Sequence, residues 1–186
     1  MTGSPADETF LLPRLTLVTG GARSGKSSLA ERLVTATGRP RRYIATAQAW
    51  DAEMADRIAR HRADRGPAWE TVEAPLDLAS ALGGARTDEV VLVDCATLWL
   101  TNHLLAEHDL GAEADRLSAA LRACPAPVVV VTNEVGMGIV PDNALARAFR
   151  DAQGRLNQRL AAEAGMAIAV MAGLPVMLKG PRPAWL

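Results

Sequence analysis

The chain alternates between short apolar runs rich in β-branched residues and longer segments with helical spacing of apolar positions. Short runs of this kind are typical of buried strands, and the longer segments are typical of helices that pack on a sheet. The strands are predicted at 15–19, 42–45, 90–94, 128–132 and 167–171, with an edge strand at 176–178. Helices are predicted to begin near Lys26, Ala52, Ala112 and Asn143. The alternation predicts an α/β fold whose mostly parallel sheet carries helices on both faces.

Nothing in the composition divides the 186 residues into several domains. The sequence shows no repeat, low-complexity segment or long linker, and 49% hydrophobic residues suffice for one core without disulfides. We expect a flexible N-terminal tail over 1–14, one domain over 15–179 and a C-terminal tail over 180–186. Cys95 and Cys124 lack metal-ligand spacing, which indicates a reducing compartment and argues against zinc.

Charge and hydropathy argue against two classes of partner. A formal net charge of −1 offers no general electrostatic surface for nucleic acid or an anionic membrane, so phosphate recognition must be local. The longest apolar stretch, 164–178, is broken by two glycines and a proline and is too short to span a bilayer. The N-terminal region lacks the basic segment and long apolar core of a secretory signal. We therefore expect no nucleic-acid partner, no stable membrane insertion and a cytoplasmic location.

The strongest motif is the string GGARSGKS, which matches G-x-x-x-x-G-K-[ST] between a predicted strand and a predicted helix. Its residues are Gly20, Gly21, Ala22, Arg23, Ser24, Gly25, Lys26 and Ser27. Glycines allow backbone amides to converge on phosphate oxygens, Lys26 can bridge the outer phosphates, and Ser27 offers a hydroxyl to Mg²⁺. A chance glycine-rich turn is the alternative, and the strand–loop–helix context argues against it. The fold is therefore predicted to be P-loop NTPase-like (RecA-like).

Asp94 ends the apolar run 90–93 and is a candidate second ligand for Mg²⁺. P-loop proteins place an acidic residue of this kind at the end of a neighbouring strand, where its carboxylate holds the ion or its water shell. The alternative is a surface aspartate at a strand end. The predicted metal ligands are Ser27 and Asp94.

His61 lies in the predicted helix 51–65 among four arginines. Arg60 and Arg62 are its neighbours in sequence, and Arg57 and Arg65 lie one turn away. Nearby positive charge disfavours the imidazolium form, and a neutral imidazole is a competent nucleophile.

The spacing of this helix also fits a structural role for His61, because the ring shares a helix face with Met54 and Ile58. The spacing alone leaves both roles open. An anion-binding loop in the same chain favours phosphate chemistry for an arginine-rich helix. The other two histidines, His103 and His108, have no such surroundings and are expected at the surface.

Six strings resemble the bifunctional adenosylcobinamide kinase/adenosylcobinamide-phosphate guanylyltransferase family of cobalamin biosynthesis, and the similarity runs from about 15 to 178. They are 19–27 (TGGARSGKS), 43–46 (YIAT), 69–73 (WETVE), 94–102 (DCATLWLTN), 131–141 (VTNEVGMGIVP) and the helix 147–160. The helix 51–65 matches as well, at Glu53, Met54, Arg57, Ile58 and His61. VTNEVGMGIVP is the most family-specific of them. Within it, 139–141 (IVP) could line a contact between subunits or form a buried connection.

The resemblance implies two reactions. The first phosphorylates adenosylcobinamide with ATP or GTP, and the second transfers GMP from GTP through a GMP-histidine to adenosylcobinamide phosphate. It implies His61 as the nucleophile and Lys26 as the other catalytic residue, with a homotrimer as the assembly. Besides the loop, the implied GTP-site residues are Ala45, Thr46, Ala47, Arg62, Ala63, Asp64, Arg65, Glu73 and Asp94.

Three other functions compete with this interpretation. A plain P-loop small-molecule kinase would use only γ-phosphoryl transfer, with His61 structural. A GTP-dependent switch normally reads guanine with an Asn-Lys-x-Asp string, and 132–135 (TNEV) does not supply it. A motor-like ATPase would respond to DNA or RNA, and the charge balance argues against that.

Overall fold

The computed structural model of the protein describes residues 10–48 and 68–186. In chain order, the described elements are β1 (Leu15–Gly20), α1 (Lys26–Thr35), β2 (Arg41–Ala45), β3 (Trp69–Glu73), α2 (Leu78–Gly83), β4 (Val90–Asp94), α3 (Ala96–Leu105), α4 (Leu110–Ala123), β5 (Val128–Asn133), α5 (Ala144–Glu163), β6 (Met166–Met171) and β7 (Leu174–Lys179). The predicted helix that begins near Ala52 lies outside the described residues.

The described strands form one sheet in the order β3-β2-β4-β5-β1-β6-β7. Every neighbouring pair is parallel except β6 and β7, which form an antiparallel hairpin at one edge. The Val- and Leu-rich strands β4 and β5 lie in the interior of the sheet, where helices cover both faces. Because the parallel strands share one direction, their carboxyl ends meet at one edge, and loops on that edge can build a site.

Two apolar clusters, one on each face, hold the helices against the sheet. One joins α1 to the sheet through Leu29 and Leu33, with Val131 among its strand residues. The other holds the four helices α2, α3, α4 and α5 against the opposite face of the sheet, and it contains Trp99 and Leu156. The predicted α/β architecture with helices on both faces is confirmed.

The capping residues explain where the predicted helices begin. Asn143 caps α5, since its Oδ1 accepts a hydrogen bond from the Ala146 amide at 2.7 Å. The helix predicted near Ala112 begins two residues earlier, at Leu110, because the Asp109 carboxylate caps it. Asp94 ends β4 as predicted.

Three elements were not predicted from the sequence, namely β3, α2 and α3. β3 lies at the sheet edge and carries two exposed glutamates, so its apolar pattern is weak. α2 has six residues and is fixed by Asp77, whose carboxylate accepts from the Ser80 amide. α3 is largely buried and has apolar residues on most of its sides. Its sequence therefore lacks the alternation of apolar and polar faces by which a surface helix is recognised.

Residues near the two chain ends contact each other on α1. The Phe10 and Trp185 rings meet edge to face with centroids 5.9 Å apart. The Arg32 guanidinium lies over the Trp185 ring at 5.1 Å. Among the described residues, no helix is both long and apolar enough to cross a membrane.

The prediction that His103 is a surface residue is wrong, since the side chain is only 3% exposed. Its ring lies against Trp99, with centroids 4.6 Å apart, and its nitrogens have protein partners. His108 is exposed, as predicted. Cys95 and Cys124 are buried free thiols, which agrees with a chain that needs no disulfide.

Candidate nucleotide-binding site

The glycine-rich loop connects β1 to α1 at the carboxyl edge of the sheet. Gly25, the residue before α1, has φ = 94°, a left-handed conformation that favours glycine. A Cβ on Gly20 would overlap the Val170 carbonyl oxygen of the neighbouring strand. The sequence therefore needs glycine at both positions to bring the loop backbone close to its ligand.

A hairpin far away in sequence supports this loop. The Gly173 amide, in the turn between β6 and β7, donates to the Ser24 carbonyl oxygen at 2.9 Å. On the other side, the Glu134 amide donates to the Gly20 carbonyl oxygen at 3.1 Å. Both contacts use backbone atoms, so no side-chain pattern could predict them.

The residues of the loop divide into an exposed rim and a buried base. Gly21, Ala22 and Arg23 are exposed and can reach a ligand. Lys26 is buried, and its Nζ donates to the Gly21 carbonyl oxygen at 3.1 Å, so the ammonium group lies against the loop. Ser27, in the first turn of α1, is half-buried. A cation within a ring of amides at a helix N-terminus suits a polyphosphate.

Asp94 ends β4 at the same edge and is half-buried. The Tyr43 hydroxyl donates to Asp94 Oδ2 at 3.0 Å, which fixes the carboxylate. Carboxylate and hydroxyl oxygens are the hard ligands that Mg²⁺ prefers, so Asp94 and Ser27 fit this ion.

The register of three neighbouring strands places the predicted site residues Ala45, Glu73 and Asp94 side by side. Ala45 is opposite Glu73 on one side and opposite Asp94 on the other. Thr46 follows directly, and its buried hydroxyl donates to the Cys95 carbonyl oxygen and accepts from the Cys95 amide, each at 2.8 Å. Thr46 therefore joins the ends of β2 and β4, and Ala47 comes next as a half-buried residue. The other predicted site residues, His61, Arg62, Ala63, Asp64 and Arg65, lie outside the described residues.

Cys95 follows Asp94 but is not a nucleophile. Burial raises the pKa of the Cys95 thiol to about 11, and the Asp94 charge adds to the increase. A neutral, buried thiol at this point has a structural role, as the N-cap of α3.

Two asparagine side chains for which the sequence predicted no role hold backbone carbonyl groups at the carboxyl edge of the sheet. Both amide hydrogens of Asn102 are used, one by the Thr46 carbonyl oxygen and one by the Pro75 carbonyl oxygen, each at 2.8 Å. Asn157, on α5, donates to the Asn133 carbonyl oxygen at 3.0 Å. Asn102 and Asn157 lie in strings that resemble the family, but nothing in their spacing predicted these contacts.

The segment after β5 is exposed and apolar. Met137 and Ile139 are 85% and 97% exposed, and Val140 is 62% exposed. The alternative of a buried connection at 139–141 is therefore wrong for this chain. Its apolar side chains lie in the segment that leaves β5 where the Glu134 amide contacts the P-loop.

A phosphate-binding loop at the carboxyl edge of a sheet, with a lysine in the loop and an acid on a nearby strand, defines a P-loop nucleotide-binding protein. Solved structures agree on the fold. A type III secretion ATPase of pathogenic bacteria matches with a TM-score of 0.55 at 11% identity, over 89% of this chain and 57% of that chain. The RadB recombinase matches with a TM-score of 0.50 at 18% identity, over 94% and 86%.

The family follows from closer relatives. The model of the family described as cobinamide kinase / cobinamide phosphate guanyltransferase matches residues 16–178. The bifunctional adenosylcobalamin biosynthesis protein CobP of Pseudomonas aeruginosa is 47% identical over 88% of this chain and 96% of its own length. The bifunctional adenosylcobalamin biosynthesis protein CobU of Escherichia coli is 46% identical over 88% of this chain and 98% of its own length. The chain therefore belongs to this family, and the family predicted from the sequence is confirmed.

Proposed function

We propose that this chain phosphorylates adenosylcobinamide with ATP or GTP and then guanylylates the new phosphate with GTP. The products of the second reaction are adenosylcobinamide-GDP and pyrophosphate. The observation that carries the proposal is the P-loop, with Lys26 held against it and Asp94 at the same edge, in a chain of this family.

The kinase step needs a positioned triphosphate and compensation of its charge. The corrinoid hydroxyl oxygen bonds to the γ-phosphorus, the β–γ bridging bond breaks, and the hydroxyl proton leaves to solvent. Lys26 and the loop amides stabilise the negative charge on the departing diphosphate. When Mg²⁺ is bound at Ser27 and Asp94, it would add positive charge at the phosphates.

The guanylyl step adds a covalent intermediate. A ring nitrogen of His61 bonds to the α-phosphorus, and the α–β bridging bond breaks to release pyrophosphate. A phosphate oxygen of adenosylcobinamide phosphate then attacks the same phosphorus, and the phosphorus–nitrogen bond breaks to restore the imidazole. Two half-reactions of this kind predict ping-pong kinetics.

Further residues are assigned to the GTP site in this proposal. They are Ala45, Thr46, Ala47 and Glu73 at the strand edge, and Arg62, Ala63, Asp64 and Arg65 beside His61. The contacts between Ala45, Glu73 and Asp94 support the first group, because these positions share the loop's edge of the sheet. We also propose the homotrimer that the resemblance implies.

Labelling with GTP tests the covalent step. GTP labelled at the α-phosphate should leave acid-labile, base-stable label on the protein, and γ-labelled GTP should not. His61→Ala should abolish the label while phosphorylation of adenosylcobinamide persists. His108→Ala is the matched control, because this exposed histidine lies on the α3–α4 connection, and it should label normally. Label retained by His61→Ala would overturn the intermediate.

A further inference from the structure

Two histidines and a glutamate meet where α3 is connected to α4. His103 is in the last turns of α3, His108 is in the connection, and Glu113 is in the first turn of α4. The Nδ1 atoms of the two histidines are 2.8 Å apart, and Glu113 Oε2 is 3.9 Å from His103 Nδ1. One ligand atom from each of the three residues lies within 4.8 Å of the others.

The surroundings of His103 prepare its Nδ1 as a ligand. Its Nε2 lies 3.2 Å from the Leu76 carbonyl oxygen, which can only accept, so the proton is assigned to Nε2. Nδ1 therefore accepts the hydrogen bond from His108 Nδ1 in the metal-free chain, and metal binding requires the His108 proton to move to its Nε2 so that both Nδ1 lone pairs can face the ion. A histidine that donates its second N–H to a backbone carbonyl is the usual arrangement around a bound metal.

The space beside the cluster is suited to a small ion. A cavity of about 130 Å³ is lined by the three side chains and by Asp77, Trp99 and Arg116. The His103 ring packs against Trp99, and its Nε2 contacts the Leu76 carbonyl oxygen, so two contacts orient this ring. Arg116 Nη1 donates to both Glu113 oxygens, at 2.9 Å to Oε1 and 3.2 Å to Oε2, so a bound ion would have to replace the longer of these contacts while the 66%-exposed Arg116 keeps the shorter one.

We propose that His103 Nδ1, His108 Nδ1 and the Glu113 carboxylate bind one divalent transition-metal ion of the Zn²⁺ class. Two imidazoles and one carboxylate are a common ligand set for such an ion, and they leave a position for water. Zinc–nitrogen bonds near 2.0 Å at tetrahedral angles require the two nitrogens to be about 3.3 Å apart. The distance between the two Nδ1 atoms would therefore have to increase by about half an ångström from its present 2.8 Å. Rotation of Glu113 about its side-chain bonds completes the set.

The bound ion would link α3 to α4 through residues that are far from the P-loop in sequence. Asn102, the residue before His103, holds the Thr46 and Pro75 carbonyl oxygens at the nucleotide edge. The site and the proposed guanylyl transfer are independent, because neither His103 nor His108 has a role in the proposed reactions.

Cobalt binding to the full-length, untagged chain tests the site. Co²⁺ is added without nucleotide, and visible absorption reports coordination by nitrogen and oxygen ligands. We expect one Co²⁺ per chain, displaced by Zn²⁺. His108→Ala and Glu113→Gln should each weaken binding at least about tenfold, because the loss of a residue that only supports a ligand already costs about 10–100-fold in metal affinity. His108 and Glu113 are chosen because His103 is buried and its loss could unfold the protein.

Matched controls separate the cluster from other ligands in the chain. His61→Ala removes the one remaining histidine, and Glu107→Gln removes an exposed acid from the same connection. Both should bind Co²⁺ as the unmodified chain does. The proposal is overturned if the chain binds no Co²⁺ in a one-to-one ratio, or if His108→Ala binds as tightly as His61→Ala. It is also overturned if His61→Ala alone loses binding.

Discussion

The Thr46 hydroxyl and the Cys95 backbone are joined by two hydrogen bonds of 2.8 Å, one in each direction. The hydroxyl is buried, and it connects the ends of β2 and β4 next to Asp94. Thr46 therefore acts through position, because the one proton of its hydroxyl is used by the Cys95 carbonyl oxygen and cannot also be donated to a phosphate.

Thr46→Val keeps the side-chain shape and removes both bonds. The Cys95 amide would then be buried without the partner described for it, which costs about 1–3 kcal/mol, whereas the Cys95 carbonyl oxygen keeps the Trp99 amide at 3.2 Å. We expect a loss of at least that size in the free energy of unfolding, measured with urea, together with weaker GTP binding. Thr101→Val is the control, since the partner described for its hydroxyl is in its own helix, the Thr97 carbonyl oxygen. Equal loss in both variants would contradict the role given to Thr46.

Lys26→Met tests the electrostatic part of catalysis. Removing one preorganised donor from a transition state typically costs a factor of about 10² to 10³. We expect kcat/KM for both reactions to fall by about this factor, with the fold unchanged by circular dichroism. Lys179→Met is a matched control, because Lys179 is the other lysine of the chain and contacts only the end of α5 among the partners described for it. A comparable loss of activity in Lys179→Met would argue against a specific role for Lys26.

Gly25→Ala should strain the loop, because φ at this position is 94°. A left-handed backbone costs a residue with a Cβ about 1–2 kcal/mol. We expect a lower melting temperature and weaker GTP binding. Gly154→Ala provides the contrast, since Gly154 is within α5 and a Cβ there meets nothing within 4 Å. It should raise stability by up to about 1 kcal/mol, and a destabilised Gly154→Ala would mean that the helix needs this glycine for another reason.

Glu89 makes stability depend on acid pH. Burial alone would raise its pKa, but hydrogen bonds from the Arg42 side chain and the Arg86 amide, with both charges, outweigh burial and hold the pKa below its ordinary value. A pKa that is lower in the folded state stabilises the protein above the unfolded-state pKa, and this contribution is lost as pH falls through the folded-state value. We expect the free energy of unfolding to fall below about pH 4.5.

Glu89→Gln should remove this acid-dependent part of the stability. It should also destabilise the chain by about 1.5–3 kcal/mol at neutral pH, the range for a hydrogen bond to a charged group, because the buried Arg42 would lose its Glu89 charge partner and keep only the half-exposed Glu70 at 3.3 Å. Asp88→Asn changes an exposed neighbour and should leave the pH profile intact. An unchanged profile in Glu89→Gln would show that other carboxyl groups govern the acid limb.

The sequence predicted those parts of the protein whose local pattern reflects their final environment. The buried strands have near-continuous Val and Leu runs, and the P-loop needs its glycines for backbone conformation, so both were recognisable. β3 was missed because an edge strand with exposed glutamates lacks a strong apolar pattern. The burial of His103 was missed because it results from the packing of α3 against Leu76, a segment 27 residues away in sequence. The roles of Asn102 and Asn157 depend on similar long-range contacts.

The place of β1 in the sheet has a consequence for biogenesis. The strand that leads into the P-loop is made early, yet it pairs only with β5 and β6, whose last residues are Asn133 and Met171. Its loop also depends on the Gly173 amide. During synthesis on the ribosome, the P-loop therefore gains both of its strand neighbours and its contact with Gly173 only after about nine-tenths of the chain has been translated, so we expect the loop to be ordered late.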